Sequence, residues 1–329
     1  MKNEKLIVQV NKFLIKRSKK ALEIAKREIT QEKRESKQIN DAFKYYAKNL
    51  KDIVHPGLIS IGYDAVDGKA DDITATQVAM LLLTAGFDVH DDIIDESKTK
   101  YGKPTLYAKF GKNISLLVGD AFLMKALVLI HKLEKQLSSE KMEAIWNIID
   151  GLFFELGDAE ALEASMQNNV DVSAEECFRI LKMKSSTFEA HMRIGAILGG
   201  GEPKIVNLLG CFGRTIGILL GIREDFIDVF EAEEIQSRFK NECLPLPILY
   251  AFKDKQSKKT IMDYISKQII TDQDAEKIAD IVFENRNVEL LRNEITNMAQ
   301  EAFDRIRSNI NNKTTTQMEI LIGGILEDL

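Results

Sequence analysis

Proline, cysteine and tryptophan are all scarce in this 329-residue sequence, with five, three and one copies. So few prolines leave little punctuation for short strands and turns, and suit long helices with few breaks. The three cysteines, Cys177, Cys211 and Cys243, lie far apart. An odd, scattered set excludes a disulfide framework, shows no zinc-ligand spacing, and points to reduced thiols in a cytoplasmic setting. Basic residues are not in excess: the net charge of −6 argues against nucleic-acid binding. The first 20 residues are lysine-rich without an apolar core, so no secretory signal is expected. The most apolar runs are broken by Asp120 and Lys125, or by Gly199 to Pro203 and Arg214. None reaches the ~18 clean apolar residues of a membrane span, and none is expected. No alternating β-branched stretch with hairpin turns stands out.

What is present reads as helix. Hydrophobic residues at 45 % and charged residues at 29 % are ordinary for a globular chain. Residues 1–37 suggest a charged outer helix. A second helix covers 39–52, His55-Pro56-Gly57 breaks it, and a short helix runs to Val66. Thr74-Ala75-Thr76-Gln77 and Ser173-Ala174-Glu175-Glu176 have capping-box spacing. Gly102-Lys103-Pro104 is a turn, and the glycines before Pro203 are a sharp break. With no linker or low-complexity tract, 1–329 is expected to be one all-α domain, with two helices facing each other across a central apolar cavity.

Those two helices carry the chemistry. Asp91, Asp92 and Asp95 follow an apolar run and project to one side of a helix at i, i+1 and i+4. Glu224, Asp225 and Asp228 repeat the spacing after a second apolar run. Adjacent carboxylates repel, and a hard divalent cation such as Mg²⁺ removes that cost while sharing phosphate oxygens. The pair reads as a metal cluster at the mouth of an apolar pocket.

With these residues laid out, the chain resembles the trans-isoprenyl diphosphate synthase (polyprenyl synthetase) family. The resemblance rests on His90 to Ser97, Gly102 to Thr105, Val118-Gly119-Asp120, the second acidic motif, Lys184-Ser185 and Pro247 to Ala251. It implies an isoprenoid-synthase-type helical bundle, a homodimer, and three Mg²⁺ ions held with substrate by the six acids. An allylic prenyl diphosphate would ionise there, held by Lys184 and Lys100, with Arg238 and Lys240 near enough to cap it. A lipid product leaves room for peripheral contact with a membrane. Gly86 and Phe87, just before the first motif, and Leu220 would line the hydrocarbon pocket.

The acceptor half departs from the pattern. Where the family has basic or polar residues for isopentenyl diphosphate, this chain has Asp52, His55, Thr84, Tyr101 and Gly221. Each charge-assisted hydrogen bond contributes roughly 1.5–3 kcal/mol. Losing three removes on the order of 5–9 kcal/mol, roughly three to six decades of affinity. The sequence therefore favours an enzyme that ionises an allylic diphosphate without standard elongation: a terpene-synthase-type activity, or transfer to another acceptor. The alternatives are a chain-elongating prenyltransferase with an unusual acceptor pocket, and a non-catalytic regulatory subunit of a prenyl synthase.

Overall fold

The computed structural model describes residues 6–327 apart from 33, 70, 71, 101, 168, 170 and 311. Helices α1 (Leu6–Thr30), α2 (Lys37–Asn49), α3 (Val54–Ala65) and α4 (Thr74–Ile94) lead to a small hairpin of β1 (Thr99–Lys100) and β2 (Lys103–Pro104). Then come α5 (Leu106–Phe110), α6 (Lys112–Lys132), α7 (Ser139–Ala164), α8 (Ala174–Lys184), α9 (Ser186–Leu198) and α10 (Pro203–Asp228). The chain continues through α11 (Ala232–Asn241), α12 (Leu246–Ala251), α13 (Lys255–Ile265), α14 (Asp272–Phe283), α15 (Arg286–Arg307) and α16 (Asn312–Leu326). The all-α, single-domain expectation holds; the hairpin and one turn of 3-10 helix at Leu133–Lys135 are the departures among the described residues.

Helix α3 is apolar on every side, which marks a helix buried on every side. It packs along α9, and the two share a wall between two hydrophobic cores. Leu58, Ile61, Met192 and Ala196 face one core, while Ile59, Tyr63, Ile194 and Leu198 face the other. The crossing is close because glycine stands on both sides. A Cβ on Gly62 would run into the Met192 carbonyl, and one on Gly195 into the Ile59 carbonyl.

Several local expectations need correction. α1 is charged but not merely outer: Val10, Leu14, Ala21, Ala25 and Ile29 are buried. His55-Pro56-Gly57 does not break a helix; the break precedes it, and Pro56 sits in the first turn of α3, where a missing N–H costs nothing. Thr74-Ala75-Thr76-Gln77 is no capping box. Asp72 accepts from the Thr74 N–H at 3.0 Å, and the Gln77 amide donates to the Pro56 carbonyl at 2.7 Å and to Ser60 Oγ at 2.9 Å. The second capping box, Ser173 with Glu176, is formed. Segments 112–135 and 203–228 are long and apolar enough to cross a membrane by length and composition, contrary to expectation. For α10 the packing against α9 accounts for that character. α6 packs on α4 but leaves Leu117 and Met124 more than half exposed.

Gly195→Val should destabilise the protein by about 1–3 kcal/mol or more, since the atom it meets is backbone and cannot rotate away. Urea unfolding of the two proteins checks this, and an unchanged midpoint would remove the close crossing as a constraint.

Candidate active site

Carboxylates gather at the C-terminal ends of α4, α7 and α10. Helix C-termini already carry partial negative charge from unpaired carbonyls, so this end of the bundle demands cations. α4 stops directly after Asp95 because Glu96 turns into the left-handed region at φ 54° and the Ser97 N–H bonds back to the Asp92 carbonyl. Asp91, Asp95 and Glu160 then offer oxygens that all lie within 4.8 Å of one another. Lys184, ending α8, places Nζ 3.3 Å from Asp91 and 3.2 Å from Glu160, and pairs with Glu163. Burial works against the Lys184 charge, but these acids prevail and hold its pKa well above the usual lysine range.

The acids respond to the same field. Burial, then the Asp91 charge, pushes Asp95 and Glu160 far above the usual carboxylate range. Asp91 goes the other way despite its burial, because Lys184 and Lys100 hold it ionised. Three oxygen donors at this spacing, two of them reluctant to ionise without a cation, suit a hard divalent ion such as Mg²⁺. Glu160 and Glu163 were not assigned from the sequence, although their i, i+3 spacing at the end of α7 is a legible signal.

Asp92 does not join the trio. It lies 3.7 Å from Lys100, which the hairpin carries over the site and which also lies 3.7 Å from Asp88. Burial raises Asp92 to about 7 in spite of Lys100.

The second motif is occupied by its own arginine. Arg238 Nη1 donates to Asp225 Oδ1 at 2.5 Å and to Asp228 Oδ2 at 2.7 Å, while Nε donates to the Cys243 carbonyl at 3.0 Å. The Leu246 N–H takes the other Asp225 oxygen at 3.0 Å. Glu224 is 57 % exposed beside Arg223 and stands apart from this lock. Lys240 is exposed on α11. The expectation that six acids form one ligand set, with Arg238 and Lys240 both free to cap a diphosphate, is therefore not the arrangement found.

On the acceptor side, Asp52 and His55 are partners. Asp52 caps the start of α3 through the Val54 and His55 N–H groups, and its Oδ2 meets His55 Nδ1 at 2.8 Å. The His55 ring packs against Phe188 and His191, with centroids 4.6 and 4.7 Å away. Burial pulls the His55 pKa down, but Asp52 outweighs it and holds the imidazole above its ordinary value. His191 has no such partner: burial, then the His55 charge, lowers it to about 3. Its Nδ1 lies 2.6 Å from the Thr187 carbonyl, and Thr84 Oγ1 lies 3.5 Å from Nε2. Tyr101 lies outside the described residues.

The hydrocarbon positions are also rearranged. A Cβ on Gly86 would meet Leu123 at 2.5 Å, so this glycine brings α4 and α6 together rather than opening space. Gly221 does the same for α10 against Leu181 of α8. Phe87 stacks loosely on Phe153, with centroids 5.9 Å apart, and Leu220 packs into a core. A cavity of about 650 Å³ lies between α7, α9 and the first half of α10, lined by Ala144, Ile148, Leu152, Ala190 and Val206. It touches none of the motif acids, so it is a different space from the one expected between α4 and α10.

The model of the polyprenyl synthetase family matches residues 36–282. The chain belongs to the polyprenyl synthetase family. A short chain isoprenyl diphosphate synthase of Methanothermobacter thermautotrophicus is 28 % identical over 182 residues, 55 % of either chain. A geranylgeranyl diphosphate synthase of Sulfolobus acidocaldarius is 25 % identical over the same length and share. These matches span little more than half the length of the curated relatives. The solved geranylgeranyl pyrophosphate synthetase of Pyrococcus horikoshii superposes with a TM-score of 0.82 over 98 % of both chains, at 22 % identity. A geranylgeranyl pyrophosphate synthase of Corynebacterium glutamicum, complexed with isoprenyl diphosphate and magnesium, gives 0.80 over 98 % of this chain and 99 % of that one, at 18 % identity. These family members share the isoprenoid synthase fold with this chain.

Histidine NMR checks the electrostatics. The His55 ring should titrate above 6.5 and the His191 ring only near about 3. The His55–Asp52 pair stabilises the fold below the unfolded histidine value, and that stabilisation is lost as pH rises through the raised folded value. Asp52→Asn removes the main acid opposing burial and leaves only the weaker pull of Asp88, so the His55 midpoint should fall; a midpoint that stays put would contradict the pairing.

Proposed function

We propose that the chain is a Mg²⁺-dependent prenyltransferase that ionises an allylic prenyl diphosphate and extends it with isopentenyl diphosphate through a rebuilt acceptor pocket. The observation that carries the first half is the trio Asp91, Asp95 and Glu160 with Lys184 in its midst. These acids would hold the metal, and Lys184 would turn to the diphosphate as the metal takes over its carboxylates. When bound, Mg²⁺ stabilises the charge that develops on the leaving diphosphate.

The second half draws on the relatives, whose names are those of chain-elongating synthases. They favour elongation over the terpene-synthase-type activity that the bare sequence suggested. The local electrostatics give elongation a route. Asp52 keeps the His55 imidazolium charged, and Lys100 stands nearby, so two cations replace the family's acceptor residues. One observation keeps a second reading alive: Asp52 and Asp88 still place negative charge beside that pocket, which weakens any diphosphate there. Cyclisation, water capture or transfer to another acceptor would follow.

The deciding experiment supplies purified protein and Mg²⁺ with ten-, fifteen- and twenty-carbon allylic diphosphates, with and without isopentenyl diphosphate. Mass spectrometry should find longer diphosphates only when isopentenyl diphosphate is present, and Asp91→Asn or Glu160→Gln should lower the rate by at least about 10–100-fold. Hydrocarbon or alcohol formed without isopentenyl diphosphate would establish the second reading instead. Activity untouched by Asp91→Asn would remove the proposed metal site, and no product from any of these substrates would leave the regulatory-subunit alternative standing.

A homodimer belongs to the same proposal. α6 exposes Leu116, Leu117, Met124 and Val128, and α7 exposes Phe153 and Phe154. Large side chains left in water along two helices suit a second copy of the chain. Leu117→Glu with Met124→Glu should convert a dimer to a monomer in light scattering; a dimer that survives would put the interface elsewhere.

A further inference from the structure

We propose that Arg238 takes the place of a divalent cation at the second acidic motif, so that this chain holds its metal on the Asp91–Asp95–Glu160 side and presents a fixed guanidinium to the diphosphate on the other. The inference rests on the metal–diphosphate reading of the first motif.

Two of the three acids of the second motif, Asp225 and Asp228, are already engaged, and only Glu224 stands outside the lock. Both oxygens of Asp225 accept hydrogen bonds, one from Arg238 and one from the Leu246 N–H. Asp228 accepts from the same Nη1. One Nη1 carries two hydrogens, one for each acid. The third anchor is the Cys243 carbonyl on Nε, and Glu242 lies 3.8 Å from the same nitrogen. The guanidinium is only 14 % exposed, and Asp225 only 9 %. A lysine in this place could lose its proton to make way for an ion. A guanidinium cannot, so its charge remains to repel a metal at these acids. Nη2 makes no hydrogen bond among the described residues, and its two hydrogens are the edge offered to phosphate oxygens. Arginine suits that task because its planar fork matches phosphate geometry.

The lock is built into the route of the chain. α11 exists to return Arg238 over the end of α10, and the segment from Glu242 to Leu246 supplies two of the four bonds. Sequence reasoning placed Arg238 near the site as a mobile cap; here it is a structural member of the motif.

The test counts metal. Mn²⁺ bound to the full chain in saturating inorganic pyrophosphate is measured from the electron paramagnetic resonance of the free ion, with thermal melts as the folding control. Arg238→Gln should bind one more Mn²⁺ per chain than the unaltered protein. Asp225→Asn with Asp228→Asn should bind the same number as the unaltered protein, while Glu160→Gln should bind fewer. An unchanged count in Arg238→Gln, or a lower one in the double asparagine variant, overturns the proposal and leaves the proposed function intact. No pyrophosphate-dependent Mn²⁺ binding in the unaltered protein overturns both.

Discussion

Carboxylates buried at helix C-termini must be met by positive charge, and the active-site end of this fold is arranged around that demand. Asp91, Asp95, Glu160, Glu163 and Glu242 share one small region, and burial, with repulsion from Asp91 behind it, drives Asp95 and Glu160 toward protonation. Lys184 and Arg238 are the two internal cations that make the arrangement tolerable. They differ in kind. Lys184 is a point charge on a flexible stem and can hand its carboxylates to a metal. Arg238 is held by three acceptors and keeps its charge permanently. The two acidic motifs look alike in sequence and are electrostatically unlike in the folded chain.

That difference marks the limit of what the residues alone disclose. The all-α fold was legible because few prolines, one true capping box at Ser173 and long apolar runs all point the same way. The first motif was legible because i, i+1, i+4 spacing fixes a common face on one helix. Asp92 escaped the scheme because neighbouring residues on a helix point about 100° apart, and its carboxylate meets Lys100 rather than the trio of Asp91, Asp95 and Glu160. Glu160 and Glu163 repeat the signal at i, i+3, but they sit in a dense acidic stretch at the end of α7 to which the sequence alone assigns no role. Arg238, Glu242 and the Leu246 N–H were beyond reach, since their contact with α10 is set by how the chain turns through α11. The capping box at Thr74 failed for a plain reason: Asp72 reached the first free N–H, leaving Gln77 to bond Pro56 and Ser60.

The acceptor side follows the same logic with the opposite outcome. Positions that carry basic residues in the family hold Asp52 and His55 here, and the two neutralise each other in a buried contact with His191 and Phe188. A straight count of missing charges overstates the loss, because Asp52 raises the imidazole it binds. Three carboxylates, Asp52, Asp88 and Asp92, still oppose one lysine and one imidazolium in this region.

The shared wall of α3 and α9 has a consequence for how the molecule comes apart. Each helix gives alternate faces to both hydrophobic cores, so neither core can open without uncovering the inner helices of the other. Opening at this wall is thereby tied to the loss of packing in both cores at once, which places it toward the high end of the range of local opening free energies. The segment bearing His55 and the segment bearing Lys184 lie at the ends of these two helices. Both therefore sit against the wall that the two cores share, and movement of that wall would reach His55 and Lys184 together.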